Sequence, residues 1–233
     1  GALLGTSKGI YFYYFRNGNI VQLLPELKNE VISDIIYDDK TRNCWLASLT
    51  NGVYLIDDKF QVREHYNRKS HPKQFISDAV RALQLDDRGR LWIGTVEGLL
   101  ILQPDTESIS PYRFSYDDPS SLGHNSVRSL MRDHQGGMWV GTYHGGLNYY
   151  HVLAPDFRIL QHSVCRNSLS DNTISCIAED PFNNNLWIGT NDGGLNHYDR
   201  RTGHFTCYSG KENKTNSLRS NNIKCVFPEK SGS

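Results

Sequence analysis

Four tryptophans, Trp45, Trp92, Trp139 and Trp187, recur at intervals of 47, 47 and 48 residues. Each stands in a similar pentad: Cys44-Trp45-Leu46-Ala47-Ser48, then LWIGT from Leu91, MWVGT from Met138 and LWIGT from Leu186. A period in the forties constrains the fold more than composition does. Each copy must adopt one supersecondary unit and bury its apolar face against the next.

The fullest copy runs from Ile174 to Tyr208. Ile174, Cys176 and Ala178 alternate with Ser175 and Ile177, a period of two that predicts a strand. Pro181-Phe182-Asn183-Asn184-Asn185 is a turn. Leu186 to Thr190 predicts a buried strand, Asn191-Asp192-Gly193-Gly194 a hairpin turn, and Leu195 to Asp199 a third strand. Arg200-Arg201-Thr202-Gly203 turns again before a fourth strand, His204 to Tyr208. One copy is therefore four short antiparallel strands, A to D.

In the other copies strand A begins at Val127, Val80 and Ile32. Their B–C turns are Tyr143-His144-Gly145-Gly146, Val96-Glu97-Gly98 and Leu49-Thr50-Asn51-Gly52. Asp78, Asn125, Asn172 and Asn221 each stand two places before strand A. A weaker copy opens the chain around Leu4-Gly5-Thr6-Ser7-Lys8-Gly9-Ile10-Tyr11, with Leu3 in the tryptophan position. Repeats are placed at about 1–31, 32–78, 79–126, 127–173 and 174–221, with a final strand at 222–228.

Four antiparallel strands repeated in this way predict an all-β fold, a β-propeller of about five four-stranded blades. Helical solenoids are excluded because no stretch sustains a 3.6-residue apolar period. An immunoglobulin-like sandwich does not repeat one pattern five times. Either the terminal strand closes a five-bladed ring with the N-terminal strands, or the chain is cut from a longer array. The second reading is favoured.

The 25 basic and 25 acidic residues balance, which argues against a nucleic-acid or anionic-membrane surface. No apolar run reaches the roughly 18 residues of a membrane span. Of the five cysteines, Cys176 and Cys225 hold the strand A position filled elsewhere by Ala82 and Ser129, and read as buried free thiols. Cys44 reads as a core thiol. Cys165 and Cys207 lie in more polar surroundings, and their disulfide state stays open. No zinc-ligand spacing occurs, so no metal or cofactor is expected.

Gly5-Thr6-Ser7-Lys8-Gly9 matches a G-x-S-x-G nucleophile elbow, but the repeat places Ser7 in a B–C hairpin with no helix behind it. The pairs Asp38-Asp39, Asp57-Asp58, Asp86-Asp87 and Asp117-Asp118 suit turn chemistry better than calcium ligation. Asn213-Lys214-Thr215 is a formal glycosylation triplet. His197, in strand C beside Tyr198, reads as structural. The tryptophans, bounded by apolar residues on strand B, serve packing between blades, worth about 3–5 kcal/mol each on truncation.

What the scaffold leaves free is the rim, where B–C turns and D–A connections converge. The candidate ligand-binding residues are Lys8, Thr50, Glu97, Tyr143, His144, Asn191 and Asp192, with Tyr66, His71, Phe75, Tyr116, His124 and His162 on the D–A connections. Mixed aromatic and hydrogen-bonding groups suit a neutral polar ligand. A propeller glycosidase or lyase needs paired carboxylates facing the axis. Only Glu97 and Asp192 are acidic among the turn positions, in non-adjacent copies, so no catalytic residue is expected.

The run LWIGTNDGGLNHYDRRTGHFTCYS, followed by NSLRSNNI, resembles the two-component regulator propeller repeat. The resemblance covers nearly the whole chain, most strongly the third to fifth copies. It implies a non-catalytic extracytoplasmic, periplasmic sensor of a hybrid two-component histidine kinase, as in gut Bacteroidetes, responding to glycans or their breakdown products. It also implies seven-bladed, tandem propellers, so these five copies would be part of a larger array. The implied partners are an oligosaccharide or polysaccharide fragment, neighbouring blades and a second sensor chain. A membrane would be reached only through other parts of the parent protein, and nucleic acid not directly. A scaffold that mediates sensor dimerisation is the alternative. The family has no universal ligand motif within the repeat, so no binding residue is carried over.

Overall fold

The computed structural model describes residues 1–151, 153–164, 167–210 and 217–229. The chain forms two compact units, Gly1–Pro111 and Tyr112–Ser233. The first sheet contains β1 (Ala2–Thr6), β2 (Gly9–Tyr13) and β3 (Ile20–Leu23), and a 3-10 turn follows at Pro25–Leu27. The second contains β4 (Ile32–Asp38), β5 (Asn43–Ser48), β6 (Gly52–Ile56) and β7 (Val62–Tyr66). The third contains β8 (Val80–Leu85), β9 (Leu91–Thr95), β10 (Gly98–Gln103) and β11 (Ser108–Tyr112). In the second unit lie β12 (Val127–Arg132), β13 (Met138–Thr142), β14 (Leu147–His151) and β15 (Ala154–Leu160). The last sheet is β16 (Ile174–Glu179), β17 (Leu186–Thr190), β18 (Leu195–Asp199) and β19 (His204–Tyr208). Every sheet is an antiparallel meander in sequence order, the construction of a propeller blade.

Each letter of the pentad has a physical job. In LWIGT at Leu186 the leucine and isoleucine are buried in the core between the last two sheets. The tryptophan indole N–H donates to an aspartate in the A–B turn of its own sheet: Trp92 to Asp86 (3.0 Å), Trp139 to Asp133 (3.0 Å) and Trp187 to Asp180 (3.3 Å). Trp45, Trp92 and Trp139 are buried, as packing requires, while Trp187 is half-buried. The threonine hydroxyl closes the B–C hairpin, donating to the carbonyl of Gly98, Gly146 or Gly194 from Thr95, Thr142 or Thr190.

The glycine is demanded by the next strand A. A Cβ on Gly5, Gly141 or Gly189 would lie within 2.8 Å of the γ2 methyl of Ile32, Ile174 or Ile223 respectively. Ile32, Ile174 and Ile223 thus each bed onto the strand B that precedes them. Where the second copy has Ala47, the following strand opens with the shorter Val80.

Strand A departs from simple alternation. Its register skips one residue in each copy, between Ile32 and Asp34, Val80 and Ala82, Val127 and Ser129, and Ile174 and Cys176. The skipped residues Ser33, Arg81, Arg128 and Ser175 sit on β-bulges, which re-aim side chains. The Ser33 hydroxyl donates to the Val80 carbonyl (2.8 Å), and that of Ser175 donates to the Ile223 carbonyl.

Two sequence expectations need correction. The segment read as a final strand at 222–228 forms no strand: it is anchored by Ile223, whose N–H donates to Thr190 (2.9 Å), and has no sheet partner. Cys176 is only half-buried and Cys225 is exposed, because the bulge turns strand A at that point and Cys225 lies on the unpaired segment. Cys44 is a buried free thiol, as expected. Cys207 is exposed, its thiol donating to the Gly193 carbonyl, while Cys165, residues 213–215 and the C-terminal residues 230–233 lie outside the described residues.

Gly141→Ala is expected to cost about 1–3 kcal/mol, because its Cβ meets Ile174 and the Ser129 hydroxyl. Adding Ile174→Val, which copies the Ala47/Val80 pairing, recovers part of the loss. Urea denaturation of the single and double variants measures both.

Candidate functional site

The rim is built on a backbone device found at the entries to β4, β8 and β16. Two consecutive carbonyls accept N–H groups from two successive B–C hairpins. Glu30 receives Gly9 and Val31 receives Leu49; Asp78 receives Gly52 and Ala79 receives Val96. In the second unit Asn172 receives Gly146 and Thr173 receives Asn191, at 3.0 Å each. Neighbouring hairpins are thereby held side by side on one end of the sheets. The same Asx residues also clamp the D–A loop. Asp78, Asn125, Asn172 and Asn221 accept the amides of Arg68, Phe114, His162 and Gly210 at 2.7, 2.7, 2.7 and 2.6 Å.

In the first unit the device aligns Lys8, Thr50 and Glu97. Lys8 is exposed, and its amide donates to the Thr6 hydroxyl. Thr50 is already engaged: Glu30 accepts from the hydroxyls of Ser48 (2.6 Å) and Thr50 (3.2 Å) and from the Asn51 amide (3.2 Å). Asn51 also donates to the Tyr54 hydroxyl at 2.7 Å. Burial, and then the Glu30 charge, push the Tyr54 phenol up to about 12, against the lowering effect of Asn51. This network locks a hairpin; sequence reasoning missed Glu30 because it lies outside the repeat pattern. Glu97 is at the hairpin tip, its amide donating to Thr95.

In the second unit Tyr143 and His144 are brought beside Asn191 and Asp192 by the Asn172–Thr173 carbonyls. Asn191 donates weakly to Asp192 (3.4 Å). Tyr143, 38% exposed, stacks at an angle on His144 with centroids 4.1 Å apart. Arg128, the bulge residue of β12, lies over the Tyr143 ring at 5.4 Å. His144 approaches His124 edge-on at 6.1 Å. His144 has φ 73, a left-handed conformation that side chains disfavour. The turn residues that correspond to it, Thr50 and Asp192, do not have a positive φ. Strain of this kind persists where the surroundings over-determine it, and it clusters at functional positions.

The His124 Nδ1 accepts the Ser126 amide at 3.0 Å, so the ring is held neutral with its proton on Nε2. Burial, then the neighbouring His144, hold His124 below the usual histidine value. Arg128 was not among the sequence candidates. Its signal was the strand A column Ser33, Arg81, Arg128, Ser175, which looks like an ordinary outward strand position unless the bulge is known.

The D–A candidates divide. Phe75 is in the core and Tyr66 is buried with His71 stacked on it, so neither Phe75 nor Tyr66 is a rim residue; the Asp78 clamp folds that loop inward. Tyr116 is 94% exposed, and the exposed His162 gives its Nδ1 to the Leu169 carbonyl oxygen. Among the described residues no group of three or more His, Cys, Asp or Glu could hold a metal ion. One aspartate of each acidic pair caps turn amides, the first at Asp38, Asp57 and Asp86 and the second at Asp118, and Ser7 lies in the hairpin between β1 and β2. His197 packs on Trp187 with centroids 4.5 Å apart. No described helix is long and apolar enough to cross a membrane.

The family model described as Two component regulator propeller matches residues 74–97, 121–144 and 168–192. The matched segments end on Glu97, His144 and Asp192. The chain is similar to the extracellular domain of the hybrid two component system BT3049 from B. thetaiotaomicron: 27% identity and TM-score 0.73, over 88% of this chain and 27% of that one. Two further likenesses are of fold alone. PorZ, a surface component of the type-IX secretion system of Porphyromonas gingivalis, aligns with TM-score 0.71 and 17% identity over 96% of this chain and 34% of its own. Virginiamycin B lyase from Staphylococcus aureus aligns with TM-score 0.57 and 15% identity, over 77% and 55%. The chain thus spans about a quarter to just over half of these proteins. No curated protein matches the sequence.

His144→Gly is expected to raise stability by about 1 kcal/mol: relief of the left-handed penalty, roughly 1–2 kcal/mol, exceeds the entropy glycine adds to the unfolded chain, about 0.4–1 kcal/mol. The urea midpoint measures it. Because the folded-state pKa of His124 is depressed, its contribution is complete above the ordinary value and is lost as pH falls through the folded value. The His124 NMR titration is therefore expected to have a midpoint below the ordinary 6.5, and His124→Gln to flatten the acid loss of stability.

Proposed function

We propose that this chain is part of the periplasmic, extracytoplasmic sensor of a hybrid two-component receptor. In this reading it is non-catalytic and recognises a glycan or glycan breakdown product at its B–C hairpin rim. The cluster of Arg128, Tyr143, His144 and His124 carries the proposal. The core does not need these side chains, yet strained backbone and a bulge present them together. An aromatic face beside hydrogen-bonding donors suits a sugar ring, whose apolar face stacks while its hydroxyls bond. Asn191 and Asp192, on the adjoining hairpin, extend the polar surface. The likeness to the BT3049 extracellular domain supports the receptor context. The pairing of acids that glycoside hydrolysis needs has no counterpart in this cluster, which argues against turnover.

A second reading, a dimerising scaffold, draws on a different observation. Tyr14, Phe15, Ile20 and Val21 leave an exposed apolar stretch on the first sheet and its turn, 43–68% exposed.

Calorimetry of the chain against a panel of neutral and acidic oligosaccharides separates the readings. Sensing predicts saturable heat that Tyr143→Ala and Arg128→Ala each weaken by about tenfold or more. Absence of heat with every sugar, together with a concentration-dependent dimer in sedimentation that Phe15→Ser disrupts, rejects sensing in favour of the scaffold.

A further inference from the structure

At the end of the second unit opposite the B–C hairpins, the last two sheets leave a pocket of about 200 Å³. Trp139, Tyr149, Leu160 and Tyr198 line it with two arginines, Arg158 and Arg200. The rings form a basket: Trp139 and Tyr149 lie 4.2 Å apart, and Trp139 meets Tyr198 edge-on at 6.5 Å. Tyr198 is braced from behind by Phe205, stacked at 4.5 Å.

The two arginines differ in how they are used. Arg200 lies over Trp139 at 5.3 Å and Tyr149 at 5.8 Å, and its guanidinium is bound by Asp133 (2.8 Å), Glu179 (3.3 Å) and the Gln135 side chain (3.1 Å). Glu179 is further engaged by His134 at 2.6 Å. Arg200 is therefore a wall whose charge is already spent on fixed acids. Arg158 stands opposite Tyr149 across β14 and β15, is exposed, and makes no ion pair among the described residues. A guanidinium at the mouth of an aromatic basket is suited to a carboxylate, which it can grip through two N–H groups.

The scaffold does not require this lining. The groove at the matching place in the first unit, about 240 Å³, keeps Trp45 but is otherwise walled by Asp38, Lys40, Asp87, Arg88 and Asp105 among others. There Leu55 holds the Tyr149 position and Glu64 the Arg158 position, directly opposite each other across β6 and β7. The first-unit groove thus has one ring and a mixed acidic and basic wall, where the second-unit pocket has three rings and two arginines.

We propose that this pocket binds a single ring bearing a carboxylate, with the ring between Tyr149, Tyr198 and Trp139 and the carboxylate on Arg158. Its volume is below the roughly 300–1,000 Å³ of sites for larger ligands, which limits the occupant to about one ring. The burial that raises the Tyr149 phenol keeps it protonated, able to donate as well as to pack. The pocket is separate from the hairpin rim, and the inference does not depend on the sensing proposal.

The test is calorimetric titration of the chain with sodium benzoate and with sodium glucuronate, beside their neutral counterparts benzyl alcohol and glucose. The inference expects saturable binding of at least one acid, weakened by about tenfold or more in Arg158→Gln, with the matching neutral compound weaker by a similar factor. Tyr149→Leu, the residue found in the first unit, is expected to weaken it as well; circular dichroism checks that both variants are folded. Saturation by benzoate alone assigns the pocket to aromatic acids, and by glucuronate alone to sugar acids. No saturation by either acid, equal binding of the neutral compounds, or binding that Arg158→Gln leaves unchanged overturns the inference.

Discussion

Paired carbonyls at the entries to β4, β8 and β16 hold neighbouring hairpins in order within each unit. Glu30–Val31, Asp78–Ala79 and Asn172–Thr173 each tie one hairpin to the next, with bonds near 3 Å. A backbone carbonyl has two lone pairs and no rotamer to lose, so such a tie costs little entropy and survives side-chain change. The side chain of the same Asx residue folds the D–A loop down onto it. Hairpin, loop and strand entry are therefore one hydrogen-bonded corner, and residues placed on that corner are preorganised relative to one another.

Between corners the sheets are held by packing at two depths. Near the strand A side, a β-branched residue beds into the space left by glycine: Ile32 on Gly5, Ile174 on Gly141, Ile223 on Gly189. Farther out, a buried tryptophan fills the gap and is fixed in orientation by its aspartate. In the second unit Asp133 serves twice, taking the Trp139 indole and the Arg200 guanidinium. A buried carboxylate with two such partners is hard to replace singly, since removal of either charge of a buried pair leaves the other uncompensated.

Much of this was legible in the sequence. The tryptophan interval, the glycine before threonine and the Asx two places before strand A gave the sheets, the hairpins and the loop anchors. The rim turns could be named because the pattern predicts where scaffold residues end. Three things were hidden for physical reasons. A bulge adds a residue without altering composition, so Arg128 could not be told from an ordinary strand position. Tyr66 and Phe75 sit in a loop by sequence, yet the clamp at Asp78 buries them. The basket around Arg158 depends on residues from both of the unit's sheets, which no local pattern joins.

The bulge at the head of strand A has a wider implication. Because it lifts one side chain per copy out of the ladder, that column is released from the packing code that governs its neighbours. Serine fills it twice, bonding to the Val80 or Ile223 carbonyl, and arginine fills it twice. Such a column can exchange a small hydroxyl for a long cation in one copy while the core of that copy stays the same. Related arrays would then differ in the chemistry they display through a handful of unconstrained addresses, with the architecture inherited intact.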